Sequence, residues 1–113
     1  MSQIAPTELK RLLDEDAGLT VIDVRTELEF GEVHVLDVRN IPLDALAPDR
    51  QIEDGELPAN EPIYILCRSG ARAQKAADQF RGAGYGNAIV VEGGTLAWIA
   101  ANLPVTRGEA TGS

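Results

Sequence analysis

The chain has 113 residues, the length of one domain, and its 44% apolar and 25% charged content is that of a folded globule, not of a disordered or fibrous segment. Its net charge of −8 disfavours nucleic acid and anionic membrane surfaces as partners, so any anion site must be built locally. Apolar runs such as IYILC at 63–67 fall far short of the roughly 20 residues of a membrane-spanning helix, and no N-terminal apolar signal is visible, so a cytoplasmic location is expected.

Pro6 suits a first helical turn and Glu8 the positive end of a helix. Leu9, Leu12 and Leu13 then share one face, so a helix is predicted over 6–13, with Gly18 as its stop. LTVIDV at 19–24 is rich in β-branched residues and reads as a buried strand. A short helix is predicted around Glu27, Glu29 and Phe30, and a third short strand at 38–41, ended by Pro42. The proline- and acid-rich stretch 44–62 reads mostly as loop, with room for one short helix. PIYILC at 62–67 is apolar without alternation, the pattern of a strand buried on both faces. A helix is predicted over 71–81, where Ala73, Ala76, Ala77 and Phe80 line one face; Gly82 and Gly84 end it. NAIVVE at 87–92 reads as a second doubly buried strand, Gly93-Gly94 as a tight turn, and 95–102 as a short helix carrying Leu96, Trp98 and Ile99. Alternating strands and helices of this kind make an α/β fold. The expectation is a three-layer α/β/α sandwich with a mainly parallel sheet of four or five strands, over residues 1–105, and a flexible tail over 106–113.

In such a sheet, ligands bind beyond the carboxyl ends of the strands. Cys67 sits there, between the central strand and the turn CRSGAR at 67–72, which leads directly into a helix. Backbone N–H groups in that turn can converge on an anion, and Gly70 permits a conformation that other residues resist. Arg68 and Arg72 add positive charge, which favours the thiolate, the nucleophilic form. A cysteine ending an apolar strand is often only a small core residue. Two arginines and a glycine within five residues of it favour a reactive thiolate here. As the only cysteine it forms no internal disulfide, and one Cys with one His, His34, cannot close a thiolate-rich zinc site; no metal or organic cofactor is expected.

CRSGAR after an apolar strand resembles the active-site loop of rhodanese-type sulfurtransferases. The resemblance extends over about 4–104 and rests on three further motifs in order. VIDVRTELEF at 21–30 resembles the family's Asp-Val-Arg segment. His34 with NIPL at 40–43 resembles its Gly-His-Ile-x-Gly-Ala-x-Asn-Ile-Pro segment, and VVEGGTLAW at 90–98 its Gly-Gly turn and following Trp. This implies a rhodanese-like fold and ping-pong transfer of sulfane sulfur through a persulfide on Cys67. The implied donor is a small anion such as thiosulfate, or a persulfide; the acceptor is a thiol, cyanide or a sulfur-accepting protein.

Arg68, Ser69, Gly70, Ala71 and Arg72 then form the donor-binding loop. Arg72 is the stronger candidate, because the second loop position can face solvent. The resemblance implies for Asp23 and Arg25 a buried or semi-buried ion-pair role that shapes the loop; transfer through a thiolate needs no base, so a structural hydrogen bond is expected of His34, and core packing of Trp98, while Gly93 and Gly94 need only form their turn. The phosphatase branch of the same fold has a loop one residue longer than the six residues Cys67–Arg72, which disfavours a phosphatase or arsenate reductase. A non-enzymatic sulfur carrier or interaction module remains the other alternative. The chain departs from the family at Val33, where a Gly precedes the His, and at Asp37-Val38, in place of Gly-Ala, positions that flank a turn near the site in the family.

Overall fold

The computed structural model describes residues 3–107. In chain order they form β1 (Gln3–Ile4), α1 (Pro6–Glu15), β2 (Thr20–Asp23), α2 (Glu27–Glu32), β3 (Val33–Val35) and β4 (Arg39–Asn40). A 3-10 turn (Leu43–Ala45) and α3 (Pro48–Glu53) follow, then β5 (Ile63–Leu66), α4 (Ala71–Gly82), β6 (Ala88–Val91), α5 (Gly94–Ala100) and β7 (Val105–Arg107).

The unalternating apolar runs form the centre of the main sheet. Its order is β1-β6-β5-β2-β4, and every pairing is parallel. Side chains alternate across β5 by the period of two that any strand imposes. Ile63, Ile65 and Cys67 join Ile22, Val24 and the α4 residues Ala73, Ala76, Ala77 and Phe80 on one face. Tyr64 and Leu66 join Val21, Val91, Leu9 of α1 and Trp98 of α5 on the other. The sheet is therefore covered on both sides, which is why β5 shows no polar alternation. Trp98 is a core residue whose Nε1–H donates to the Pro104 carbonyl at 2.8 Å.

The helices match the expected ones to within a turn, and the fold is the expected three-layer sandwich. Three features differ. Gln3–Ile4 adds an edge strand beside β6, too short to show a strand pattern. β3 and β7 form a separate antiparallel pair, with His34 opposite Thr106. Thr106 and Arg107 are thus in a strand and not in the tail expected over 106–113; residues 108–113 lie outside those described. Long-range pairing with β3 orders them, a cause that local composition does not display.

The departures at Val33 and Asp37 also resolve. Val33 is extended, with φ −162°, so no glycine is needed there. Asp37 has φ 60°, the left-handed region in which Gly is easiest and Asp among the better tolerated alternatives.

Candidate active site

Parallel strands direct their carboxyl ends to one edge of the sheet, and the register brings Asp23 of β2 beside Leu66 of β5. Cys67 follows Leu66 there. Residues 68–70 turn sharply, and Gly70, with φ 125°, caps α4 from a conformation that a side chain would oppose. The turn brings the Gly70 N–H back onto Cys67 Sγ at 2.8 Å. The first backbone bond into α4 runs from Gln74 N–H to the Gly70 carbonyl. Earlier N–H groups of that helix end face the loop with the positive end of the helix dipole behind them. Cys67 is itself 1% exposed, so the accessible atoms of this edge belong to Arg68, Ser69 and Ala71.

The two arginines occupy different settings. Arg72 makes a bidentate pair with Glu29 of α2, Nη1 to Oε1 at 2.7 Å and Nη2 to Oε2 at 2.9 Å. Glu29 also closes a capping box: Thr26 N–H and Oγ1–H donate to Oε1 at 3.0 and 3.1 Å, and Glu29 N–H donates to Thr26 Oγ1 at 3.2 Å. The Arg72 hydrogen bonds, above all, hold the Glu29 carboxyl far below its ordinary value, at about 2; burial opposes them and the Thr26 bonds assist. The same bonds raise Arg72, and charges at Glu29, Cys67 and Asp23 add to the effect. The fork expected to face a donor is therefore already engaged. Arg68 is exposed, and among the described residues its guanidinium has no ion-pair partner.

Asp23 and Arg25 form the expected ion pair, and it is buried. Arg25 Nε donates to Oδ1 and Oδ2 of Asp23 at 3.0 and 3.1 Å, Nη2 to Oδ2 at 2.9 Å, and the Arg25 backbone N–H to Oδ1 at 2.9 Å. Nη2 also reaches the Val33 carbonyl at 2.6 Å, which ties the sheet edge to the start of β3. Asn40 Nδ2 donates to the carbonyls of Asp23 and Arg25, at 2.9 and 3.0 Å, and closes the corner. His34 stacks on Phe30 with centroids 3.8 Å apart, and its Nδ1–H donates to the Phe30 carbonyl at 2.7 Å. That carbonyl can only accept, so the bond fixes the proton on Nδ1.

The opposite wall is α5. Thr95 N–H donates to the Cys67 carbonyl at 2.8 Å and Leu96 N–H to the Arg68 carbonyl at 3.1 Å. This needs Gly94, which has φ 61°; a Cβ there would stand 2.4 Å from the Cys67 oxygen and 2.7 Å from the Arg68 oxygen. Gly94 is thus more than a turn residue: it lets the helix start dock onto the cysteine loop. Gly94, Glu29, Thr26 and Asn40 brace the site without any sign in the sequence that they belong to it. Only the Thr26–Glu29 capping-box spacing was visible locally; the partners of the other contacts lie 15 or more residues away.

Beside Arg72 lies an open cleft of about 400 Å³, lined by Val24, Thr26, Pro42, Leu43, Asp44, Arg72 and Gln79. It opens from the same carboxyl edge of the sheet, where a small ligand is expected.

A sheet of this order with a cysteine loop at its carboxyl edge has clear relatives. Residues 5–101 match the model of the rhodanese-like domain, and the chain belongs to that family. A protein of Allochromatium vinosum named sulfurtransferase is 29% identical over 109 residues, which are 96% of this chain and 98% of that one. An uncharacterized Synechocystis protein is 38% identical over 104 residues, 92% of this chain; the chain spans about half, 55%, of that relative's length. The solution structure of the rhodanese-like domain of an Anabaena protein superposes with a TM-score of 0.84 at 24% identity, over 100% of this chain and 84% of that one, and shares the fold. Among the described residues, no helix is long and apolar enough to cross a membrane.

Proposed function

We propose that this chain is a sulfurtransferase that carries sulfane sulfur on Cys67. The observation that carries the reading is the Gly70 N–H bond to Cys67 Sγ at 2.8 Å, at the start of α4 and beside two arginines. Donors aimed at that sulfur stabilise the anion that must attack and the persulfide anion that must follow.

The thiolate attacks the outer sulfur of thiosulfate or of a persulfide. A bond forms from Sγ to that sulfur as its bond to the donor breaks, and sulfite or a thiolate leaves with the electron pair. A thiol, cyanide or a sulfur-accepting protein then attacks the terminal sulfur, and the Cys67 thiolate leaves. No net proton or electron is required from the protein. Arg68, exposed and without an ion-pair partner among the described residues, serves as the cation that docks an anionic donor, while Ser69, Gly70 and Ala71 supply backbone N–H groups. Arg72, braced by Glu29, holds the loop's shape and adds field at the sulfur. Asp23 and Arg25 fix the strand end under the loop.

The test is steady-state conversion of thiosulfate and cyanide to thiocyanate and sulfite by wild-type chain and Cys67→Ser. Turnover that disappears in Cys67→Ser supports the proposal, and turnover surviving in it refutes the assignment. A Cys67 persulfide that forms without turnover selects the non-enzymatic carrier. Cys67-dependent hydrolysis of phosphate esters, without sulfur transfer, selects the phosphatase.

A further inference from the structure

We infer that Glu29 filters sulfur donors by charge, because it occupies the Arg72 guanidinium that an anionic donor would otherwise engage. The inference rests on the sulfur-transfer reading of Cys67. Both carboxylate oxygens of Glu29 meet the two Nη groups of Arg72, so the end-on Nη1/Nη2 fork is occupied and the guanidinium charge is paired before a second anion arrives. Glu29 does not swing aside freely, since Thr26 holds Oε1 through N–H and Oγ1–H. Its side chain is 28% exposed and that of Arg72 33%, so solvent screens their charges only in part. The carboxyl titrates at about 2 and is fully ionised near neutrality.

The field of Arg72 extends to Cys67, so whatever neutralises Arg72 changes what a donor meets at the sulfur. A dianion at the sulfur therefore encounters a neutralised pair and a loop cation, Arg68, that has no ion-pair partner among the described residues. A donor of low charge, such as a monoanionic thiosulfonate or an uncharged persulfide, loses far less there. Glu29 is a positioning residue that sets this preference through Arg72.

Glu29→Gln removes the charge and keeps one oxygen for the Thr26 bonds and the Arg72 Nη1 bond, losing only the Nη2 bond; Gln also serves in a capping box. Two sulfane donors, thiosulfate with two negative charges and methanethiosulfonate with one, are compared with cyanide as acceptor. The kcat/KM ratio of thiosulfate to methanethiosulfonate should rise about fivefold in Glu29→Gln, chiefly through KM, and stay near wild type in Glu29→Asp. Alkylation of the single cysteine provides a readout without turnover. The rate with iodoacetate divided by the rate with iodoacetamide should rise by a similar factor, about fivefold, since Sγ accessibility cancels in the ratio. A purely structural role lowers both donors, and both alkylation rates, in proportion; unchanged ratios with both donors active overturn the filter alone. A wild-type chain inert towards both donors overturns the sulfur-transfer reading and the donor filter with it.

Discussion

Gly94→Ala isolates the contact between α5 and the cysteine loop. The new Cβ would lie 2.4 Å from the Cys67 oxygen, 2.7 Å from the Arg68 oxygen and 2.8 Å from the Arg68 carbonyl carbon. All three are backbone atoms, so no side chain can turn away. The φ of 61° adds a left-handed penalty of about 1–2 kcal/mol for a residue with a Cβ. Relief of the clash moves α5 off the loop and weakens the bonds from Thr95 and Leu96 N–H, each worth about 0.5–1.5 kcal/mol. Together the loss is roughly 2–5 kcal/mol, or about 10–20 °C in Tm for a domain of this size. Gly55→Ala is the control, because Gly55 has φ 84° and no atom within 4 Å of its would-be Cβ. It should cost only about 1 kcal/mol and leave sulfur transfer intact. Thermal unfolding by circular dichroism and the thiocyanate assay on both variants decide the matter. If Gly94→Ala matches Gly55→Ala in Tm and transfers sulfur at the wild-type rate, α5 does not brace the loop.

Other consequences can be measured in parallel. Asp23→Ala leaves Arg25 buried without its partner and should cost about 3–5 kcal/mol in urea unfolding; a loss below about 1 kcal/mol would mean that the pair is not sustained in solution. Arg68→Ala should lower kcat/KM for thiosulfate about tenfold with Tm unchanged, whereas Arg72→Ala should lower Tm as well; equal Tm values for the two variants would contradict the bracing role of Arg72. Glu29 has a folded-state value depressed from 4.5 to about 2, so its contribution is present above the unfolded value and is lost as pH falls through that window. Discounted for partial exposure, the wild type should lose about 1–2 kcal/mol more than Glu29→Gln between those two pH values; parallel urea-unfolding curves would refute the pair. Asp37→Val should cost about 1–2 kcal/mol and Asp37→Gly almost nothing, and equal stability of the two would show that the left-handed turn is not retained.

The central sheet, its parallel sense and the place of Cys67 were legible because each has a local signature. Ile63–Leu66 and Ala88–Val91 are apolar without alternation, and Ala73, Ala76, Ala77 and Phe80 repeat at helical spacing. The Asp23–Arg25 pair was also within reach, being two residues apart. What escaped depends on distant partners. Glu29 and Arg72 are 43 residues apart, and each reads as an ordinary charged helix residue. Val105–Arg107 becomes a strand only because Val33–Val35 lies opposite. Gly94 reads as half of a Gly-Gly turn until the backbone of Cys67 and Arg68 is placed against it. The pairing of Arg72 escaped for the same reason: the loop sequence shows two guanidinium groups but not the carboxylate that already holds one of them.

The most direct test of the account is the intact mass of the chain after incubation with thiosulfate. The mass should rise by one sulfur atom, a gain reversed by a dithiol and absent in Cys67→Ser. An unchanged mass, or the same gain in Cys67→Ser, would contradict it.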